Sequence, residues 1–437
     1  MKKFITLFFI TTLFFGMTGL VTLYGQDEEG SGFLYKGMSF DNFMQTEEFQ
    51  EGVRRFMELF DHELEFAVNY LRSQISIDSF DDAFGVAIDD SGRLVMPRYI
   101  EGQYINSDGI FVIQIMPGAE RKDAVIEMLT GVVDLNHVLL EVVEFSNREL
   151  SDIADFLGAH MQAGLESNSE LAFNALSFNC KYNRVEVWLH DYSEHGIAMF
   201  RRTILDSPAV IFREAVEFVH LVLILPEEDD CLDPASLPID FMPIAPGAGI
   251  QHGRYAGSVG FRVRHRFTGE VGFITAAHVI PRGVYVRRPN VIQPLGWSHS
   301  VFWQLSGSVD ATFVWTAASP LNWIPGGAHA NVIGIPRMGS PVAKVGATTG
   351  FTTGVIERVN LSSGGLSDLV LTNVWAGSGD SGGIVYFTGG LDVNRPAGVA
   401  TSVIPQMTDA QERVFGPMIF TSAFNIIAAF NLQLEVF

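Results

Sequence analysis

A proline-rich break sets the terms for everything this chain can fold into. Between Pro226 and Gly249 the prolines Pro226, Pro234, Pro238, Pro243 and Pro246 crowd around the acidic run Glu227 to Asp230. Proline fixes φ and removes a backbone donor, and clustered charge resists burial, so this stretch reads as an exposed linker. The two sides differ in kind. Residues 1–242 carry 16 Lys+Arg against 41 Asp+Glu with 16 glycines, whereas residues 243–437 carry 12 against 9 with 27 glycines; balances of −25 and +3 make up the net −22. A shift of this size in charge and glycine marks two separately folded parts, and 437 residues exceed the one core of about 100 to 200 residues that a typical domain builds. With 47% hydrophobic and 18% charged residues the chain is not a disordered one. No basic tract rises above the acidic background, which argues against a nucleic-acid partner.

At the N-terminus Lys2 and Lys3 precede an apolar run from Phe4 to Leu23, followed by Gly25 and the acidic Asp27, Glu28 and Glu29. A positive start, an apolar core and a small residue predict an export signal over residues 1–25. The run approaches the length of a membrane span, so contact with a membrane is expected only through this segment, if it stays uncleaved. The final location is then secreted or in the cell envelope. In an exported chain Cys180 and Cys231 could pair, a bridge confined to the acidic half; two unpaired buried thiols are the alternative.

The acidic half, residues 26–225, reads as small α+β lobes. Residues 40–75 repeat apolar side chains near the helical period and predict an amphipathic helix pair. Ile110 to Ile115 and Val138 to Val143 read as strands, Asp123 to Leu129 and Asn147 to Met161 as helices. Arg184 to Leu189 alternates like a half-buried strand, Pro208 to Phe218 reads as a helix, and Val219 to Leu225 as a further strand. The joint covers residues 226–245. From residue 246 to 437 the texture is one of short β-rich runs between glycines, among them Val259 to Val263, Val271 to Thr275, Thr312 to Trp315 and Leu369 to Leu371, with a helix only near Ser422 to Phe430. Many short strands with glycine turns predict an all-β barrel or sandwich.

Three short segments of the β-rich part carry chemistry. Thr275-Ala276-Ala277-His278 follows a strand, and small residues there let the ring pack tightly. Asp310 opens the apolar strand Val309 to Val314, where an acid can be buried against one partner. Gly379-Asp380-Ser381-Gly382-Gly383 flanks a hydroxyl with glycines, so a tight loop can aim its N–H groups at one point, as an oxyanion hole requires. A lone strand-end histidine or a turn aspartate says little. All three in the order His, Asp, Ser, each beside a strand, point to a nucleophilic serine. His252, His265, His299 and His329 have no metal-binding spacing, so neither a metal nor another cofactor is expected.

From about Pro246 to Phe420 the sequence resembles the chymotrypsin-fold serine endopeptidases, closest to the bacterial streptogrisin and α-lytic protease group. The resemblance rests on the three segments above, on Lys344 to Val355 (KVGATTGFTTGV), on Thr372 to Ala376 (TNVWA), and on Gly257 to Val263 (GSVGFRV) as a first barrel strand. It implies a double β-barrel in which His278 is general base, Asp310 its orienting acid and Ser381 the nucleophile, with the amides of Gly379 and Ser381 as oxyanion donors. Two departures stand out. The family's disulfides have no counterpart, since no cysteine follows residue 231 and Trp375 occupies one expected position. Lys344 stands where the bacterial group has an arginine, which implies a Lys344–Asp380 ion pair.

The resemblance further implies a precursor whose N-terminal region helps the protease to fold and then inhibits it. Cutting is expected in the joint, between Asp233 and Gly249. Protein or peptide substrates would be held by Val374, Trp375, Ala376, Thr401 and Ser402, with Thr401 or Ser402 near Asp310. No acid among the residues before the nucleophile suits a basic side chain, so an apolar residue is expected before the scissile bond. The competing expectation is a non-enzymatic surface binding protein built on a protease-like scaffold.

Overall fold

The computed structural model describes residues 20–22, 33–60, 63–88, 94–167, 172–225, 238, 240–389 and 393–435. Most of the expected signal, Cys231 and residues 226–237 and 239 of the joint lie outside these residues. Within the signal segment only Leu20–Thr22 is described, as a strand antiparallel to Leu139, Leu140 and Glu141. Among the described residues no helix is long and apolar enough to cross a membrane.

The acidic half forms two α+β lobes. The first holds α1 (Glu47–Phe60) and α2 (Leu64–Phe84), whose inner faces bury Phe49, Val53, Phe56, Tyr70 and Phe80 against a small sheet. That sheet contains β1 (Ile100–Ile105), β2 (Phe111–Ile115) and β3 (Val138–Val142). β1 and β2 form a hairpin, while β2 and β3 run parallel with α3 (Ala119–Leu129) as their crossover. The second lobe begins at α4 (Asn147–Glu166), started by a capping box of Ser146 and Glu149. Leu150, Leu157 and Met161 of α4 pack on β4 (Phe173–Asn179) and β5 (Arg184–Leu189). Then α5 (Glu194–Thr203) carries the chain to β6 (Val210–Glu214), parallel to β5.

β6 replaces the helix expected over Pro208 to Phe218. Val210, Ile211 and Phe212 are β-branched or aromatic, and the crossover delivers them to the free edge of β5, so a non-local pairing overrides the local pattern. The alternation in β5 also does not leave a solvent face. Glu186 and Trp188 are as covered as Val185 and Val187, because β4 pairs across the junction with a strand of the β-rich half. The expected strand Val219 to Leu225 is two short ones, β7 (Val219–His220) and β8 (Leu223–Ile224), and neither pairs within the acidic half. Cys180 is a free, buried thiol; Cys231, the expected partner, lies outside the described residues. The Cys180 Sγ lies 3.0 Å from Met338 Sδ, packed with Tyr104 and Val112, and burial pushes its pKa up to about 12.

The β-rich half consists of two curled sheets. The first has the order β8-β10-β9-β13-β14-β15-β12-β11-β22, with β9 (Gly249–His252), β10 (Tyr255–Ser258), β11 (Arg262–His265), β12 (Val271–Thr275), β13 (Tyr285–Arg287), β14 (Pro294–Ser306), β15 (Val309–Thr316) and β22 (Leu432–Leu434). In the second, β17 (Gly350–Ser363), β16 (Pro341–Gly346), β19 (Ile384–Phe387), β20 (Pro396–Val403), β21 (Val414–Ser422) and β18 (Leu366–Gly377) pair in that order, and β17 pairs back onto β18. This six-stranded barrel is closed. Each sheet has its own apolar interior, around Phe273, Val286 and Val314 in the first and Val370, Val385 and Phe420 in the second. A third cluster takes Phe261, Ile274 and Phe313 from one sheet, Ile384 and Val399 from the other, and Ile426 and Phe430 from α6 (Ala423–Phe430), which welds the two together. The sequence-level expectation of an α+β half followed by an all-β double barrel describes this architecture.

The acidic half docks on the second barrel by sheet extension. β4 pairs antiparallel with β17, at Phe178 with Val359 and at Leu176 with Ser362, so the order β6-β5-β4 continues into the barrel. Trp188 and Ala175 then share an apolar cluster with Leu361, Leu366 and Leu371. The first lobe adds Tyr70, whose hydroxyl donates to Gly339 O at 3.0 Å, and Leu59, whose carbonyl accepts from Thr353 Oγ1 at 3.1 Å.

Candidate active site

The seam between the two sheets brings His278, Asp310 and Ser381 together. His278 sits just past the end of β12, with Ala276 and Ala277 buried before it. Asp310 is the second residue of β15, and its Oδ1 accepts from the amides of Ala277 at 3.0 Å and His278 at 3.2 Å. Its Oδ2 lies 2.6 Å from His278 Nδ1, while His278 Nε2 lies 2.7 Å from Ser381 Oγ. Burial alone would raise the Asp310 carboxyl, but the facing His278 ring, by charge and hydrogen bond, holds it below the ordinary carboxylate range. With the carboxylate ionised, Nδ1 keeps its proton and Nε2 is left to accept from the serine.

Ser381 lies on the loop between β18 and β19. Gly379 and Gly382 have φ of +100° and +81°, a region that favours glycine, and a Cβ at Gly382 would run into Thr275 Oγ1 and Ser258 O. Asp380 anchors the loop from inside. Its Oδ1 accepts from the amides of Thr348 at 2.9 Å and Thr349 at 3.1 Å; its Oδ2 accepts from Thr349 Oγ1 at 2.6 Å and the Gly377 amide at 3.0 Å. Lys344 Nζ lies 3.1 Å from the same Oδ2, and both side chains are completely buried. Burial pushes the Lys344 pKa down, against the pull of Asp380. The C-terminal half thus holds His278, Asp310 and Ser381 at the seam between its two sheets, one of them a closed six-stranded barrel.

The cleft at this seam is occupied by the chain's own segment. β7 pairs antiparallel with β20, Val219 with Val403 and His220 with Ser402. The next residue, Leu221, donates its amide to Thr401 O at 3.2 Å, and its carbonyl oxygen accepts from the Gly379 amide at 2.5 Å. Its side chain is wholly buried in the cluster that holds Val374, Ala376, Ala400, Val403 and Met418. Beyond it β8 pairs with Ala256 and Tyr255 of β10, and Leu225 donates to Arg254 O at 2.7 Å. The His220 ring lies 4.4 Å from that of His278.

Of the pocket residues named from sequence, Val374 and Ala376 meet Leu221 in that cluster, whereas Trp375 points to the other face of β18. Thr401 contributes its backbone carbonyl. Its hydroxyl lies 3.1 Å from Thr421 Oγ1 and 3.5 Å from Val399 O, and Ser402 lies in register with His220. Sequence reasoning missed His220 and Leu221 altogether; the signal was a strand without a partner directly before the joint. Among the described residues one group could hold a metal ion, His220, His278 and Asp310, although both His278 nitrogens are engaged within the triad.

A family model described as Pro-like C-terminal domain matches residues 148–215, the lobe from α4 to β6. No curated protein matches the chain. Among solved structures the chain is similar to Cellulomonas bogoriensis chymotrypsin, at 26% identity over 45% of this chain and 100% of that one, with a TM-score of 0.35. It is also similar to Thermobifida fusca protease A, at 25% identity over 45% of this chain and 100% of that one, TM-score 0.36. For Nocardiopsis protease the figures are 23%, 44%, 100% and 0.35.

Proposed function

We propose that this chain is an exported serine endopeptidase made as an inactive precursor. The observation that carries the reading is the hydrogen-bonded series from Asp310 through His278 to Ser381, with the Gly379 amide aimed at a peptide carbonyl beside it. A serine hydroxyl attacks a peptide only when a base takes its proton, and His278 Nε2 is in reach to do so. Asp310 holds the ring and stabilises its charged form. The amides of Gly379 and Ser381 then hold the oxyanion, each worth about 10²- to 10³-fold in rate. His278 returns the proton to the leaving amine, and water hydrolyses the acyl-enzyme by the same route.

The acidic half acts as folding aid and inhibitor. Support for inhibition comes from the pairing of β7 and β8 inside the cleft and from the sheet extension that anchors them. The apolar segment from Phe4 to Leu23 supports export. Protein or peptide chains are the substrates.

The test is a gel time course of the chain without residues 1–25, beside Ser381→Ala, with a fluorophosphonate probe added at intervals. Self-processing and labelling of the unmutated C-terminal fragment alone are expected. If both proteins stay whole and unlabelled, even after limited proteolysis of the joint, a non-enzymatic scaffold is the better reading.

A further inference from the structure

We infer that the bond this protease cuts first is its own Leu221–Val222, and that its first pocket selects leucine. The inference rests on the proposed protease activity and adds the bond and the specificity. Four observations converge on Leu221. Its carbonyl oxygen is the group that receives the Gly379 amide, at 2.5 Å, where an oxyanion would form. Its amide is fixed to Thr401 O at 3.2 Å, and that same carbonyl lies 3.3 Å from Ser381 Oγ, so the peptide and the nucleophile share one anchor. Its side chain is fully buried among Val374, Ala376, Val403 and Met418. The chain is held on both sides, by β20 before the bond and by β10 after it, in the extended form a substrate needs.

The described part of the joint lies elsewhere, with Ile244 N bonded to Ser319 O at 3.3 Å and Gly247 N to Val259 O at 2.7 Å. The hydrogen bond from Leu225 N to Arg254 O holds the chain in the primed side of the cleft up to the residue before the joint. A bond beyond Pro226 would reach Ser381 only after β7 and β8 had peeled away. The first cut is therefore intramolecular. Ser381 Oγ adds to the Leu221 carbonyl carbon as its proton passes to His278 Nε2. The Leu221–Val222 C–N bond breaks and Val222 leaves as an amine with that proton. Water then hydrolyses the Leu221 ester, which leaves a Leu221 carboxylate and restores the serine.

Two leucine-specific consequences follow. An apolar pocket of fixed size admits leucine or methionine and rejects a charged side chain, which would be buried without a partner. The position before it is occupied by the His220 ring, 4.4 Å from the His278 ring and tilted 31° to it, so a flat side chain is favoured there.

The experiment is N-terminal sequencing and mass measurement of the fragments from the purified precursor, with kcat/KM of the processed enzyme on peptide anilides ending in Leu, Lys and Glu. A first fragment beginning at Val222 is expected. So is slowing by about 100-fold or more in Leu221→Asp, near-normal processing in Leu221→Met, and a preference of about 100-fold or more for Leu over Lys and Glu. An enzyme that labels with fluorophosphonate but whose first fragments begin only within residues 226–249, or that prefers Lys or Glu, overturns the inference and leaves the protease reading standing. No label and no fragment, with Ser381 intact and the joint opened, overturns both.

Discussion

Arg358, on the barrel strand β17, reaches across the junction to Glu186 on β5, with Nε 2.7 Å from Oε2. Glu186 is fully buried, and its other oxygen accepts from Asn179 Nδ2 at 3.0 Å and Arg213 Nη2 at 2.9 Å. A carboxylate of the acidic half is thus neutralised in part by a cation of the β-rich half. Removing Arg358 leaves a buried charge short of a partner. In a Ser381→Ala background, Arg358→Met should destabilise the whole chain by about 1–3 kcal/mol in denaturant unfolding, and adding Glu186→Gln should recover part of that loss. Additive effects of the two changes would mean that the pair does not couple the halves.

Lys344 is buried against Asp380, whose carboxylate also takes four neutral donors, three from Thr348 and Thr349 between β16 and β17 and one from Gly377 at the end of β18. Lys344→Met should cost about 3 kcal/mol, toward the lower end for breaking a buried pair, because those four donors remain. Thermal unfolding and kcat/KM should both fall. An unchanged activity would show that the lysine does not hold the oxyanion loop.

Asp310→Asn should leave the fold in place and lower kcat by about 10⁴-fold, because the ring then loses the partner that keeps Nδ1 protonated. The carboxyl's pKa is held low in the folded state, so its contribution to stability is complete above its unfolded pKa of about 3.9 and is lost as pH falls through the folded value. Acid unfolding of the asparagine variant should therefore be less steep below about pH 4. Equal slopes would contradict this.

His220 supplies a pH dependence of docking. Burial first, and then the facing His278, push its pKa down when β7 is in place, with Asp310 opposing. The docked state thus prefers the neutral ring, and docking weakens as pH falls through the free value of about 6.5. In Ser381→Ala, exchange of the Leu221 amide, corrected for its intrinsic rate, should be faster at pH 5.5 than at pH 7.5. His220→Gln should flatten that difference. If the glutamine variant keeps it, another group is responsible.

What could be read from sequence depended on how local the signal was. His278, Asp310 and Ser381 each sit beside a strand-like run with small or glycine neighbours, so each motif could be recognised where it stands. The folding of two sheets against one another then only had to bring three recognisable ends together. Arg184 to Leu189 alternates like a half-buried strand, but alternation says which residues share a face and not what covers it; here β6 and the barrel cover Glu186 and Trp188. Pro208 to Phe218 has helical spacing, yet its partner is the edge of β5, created by the α5 crossover. The pairing of His220 and Leu221 with β20 joins segments far apart in the chain, which no local pattern encodes.

The central claim is that Ser381 is a nucleophile activated by His278. The most direct measurement is peptide mapping by mass spectrometry of the fluorophosphonate-treated, processed protein. A single phosphonylated serine at Ser381, absent in His278→Ala, is the predicted result. Label at other serines alone, or equal labelling of Ser381 with and without His278, would contradict it.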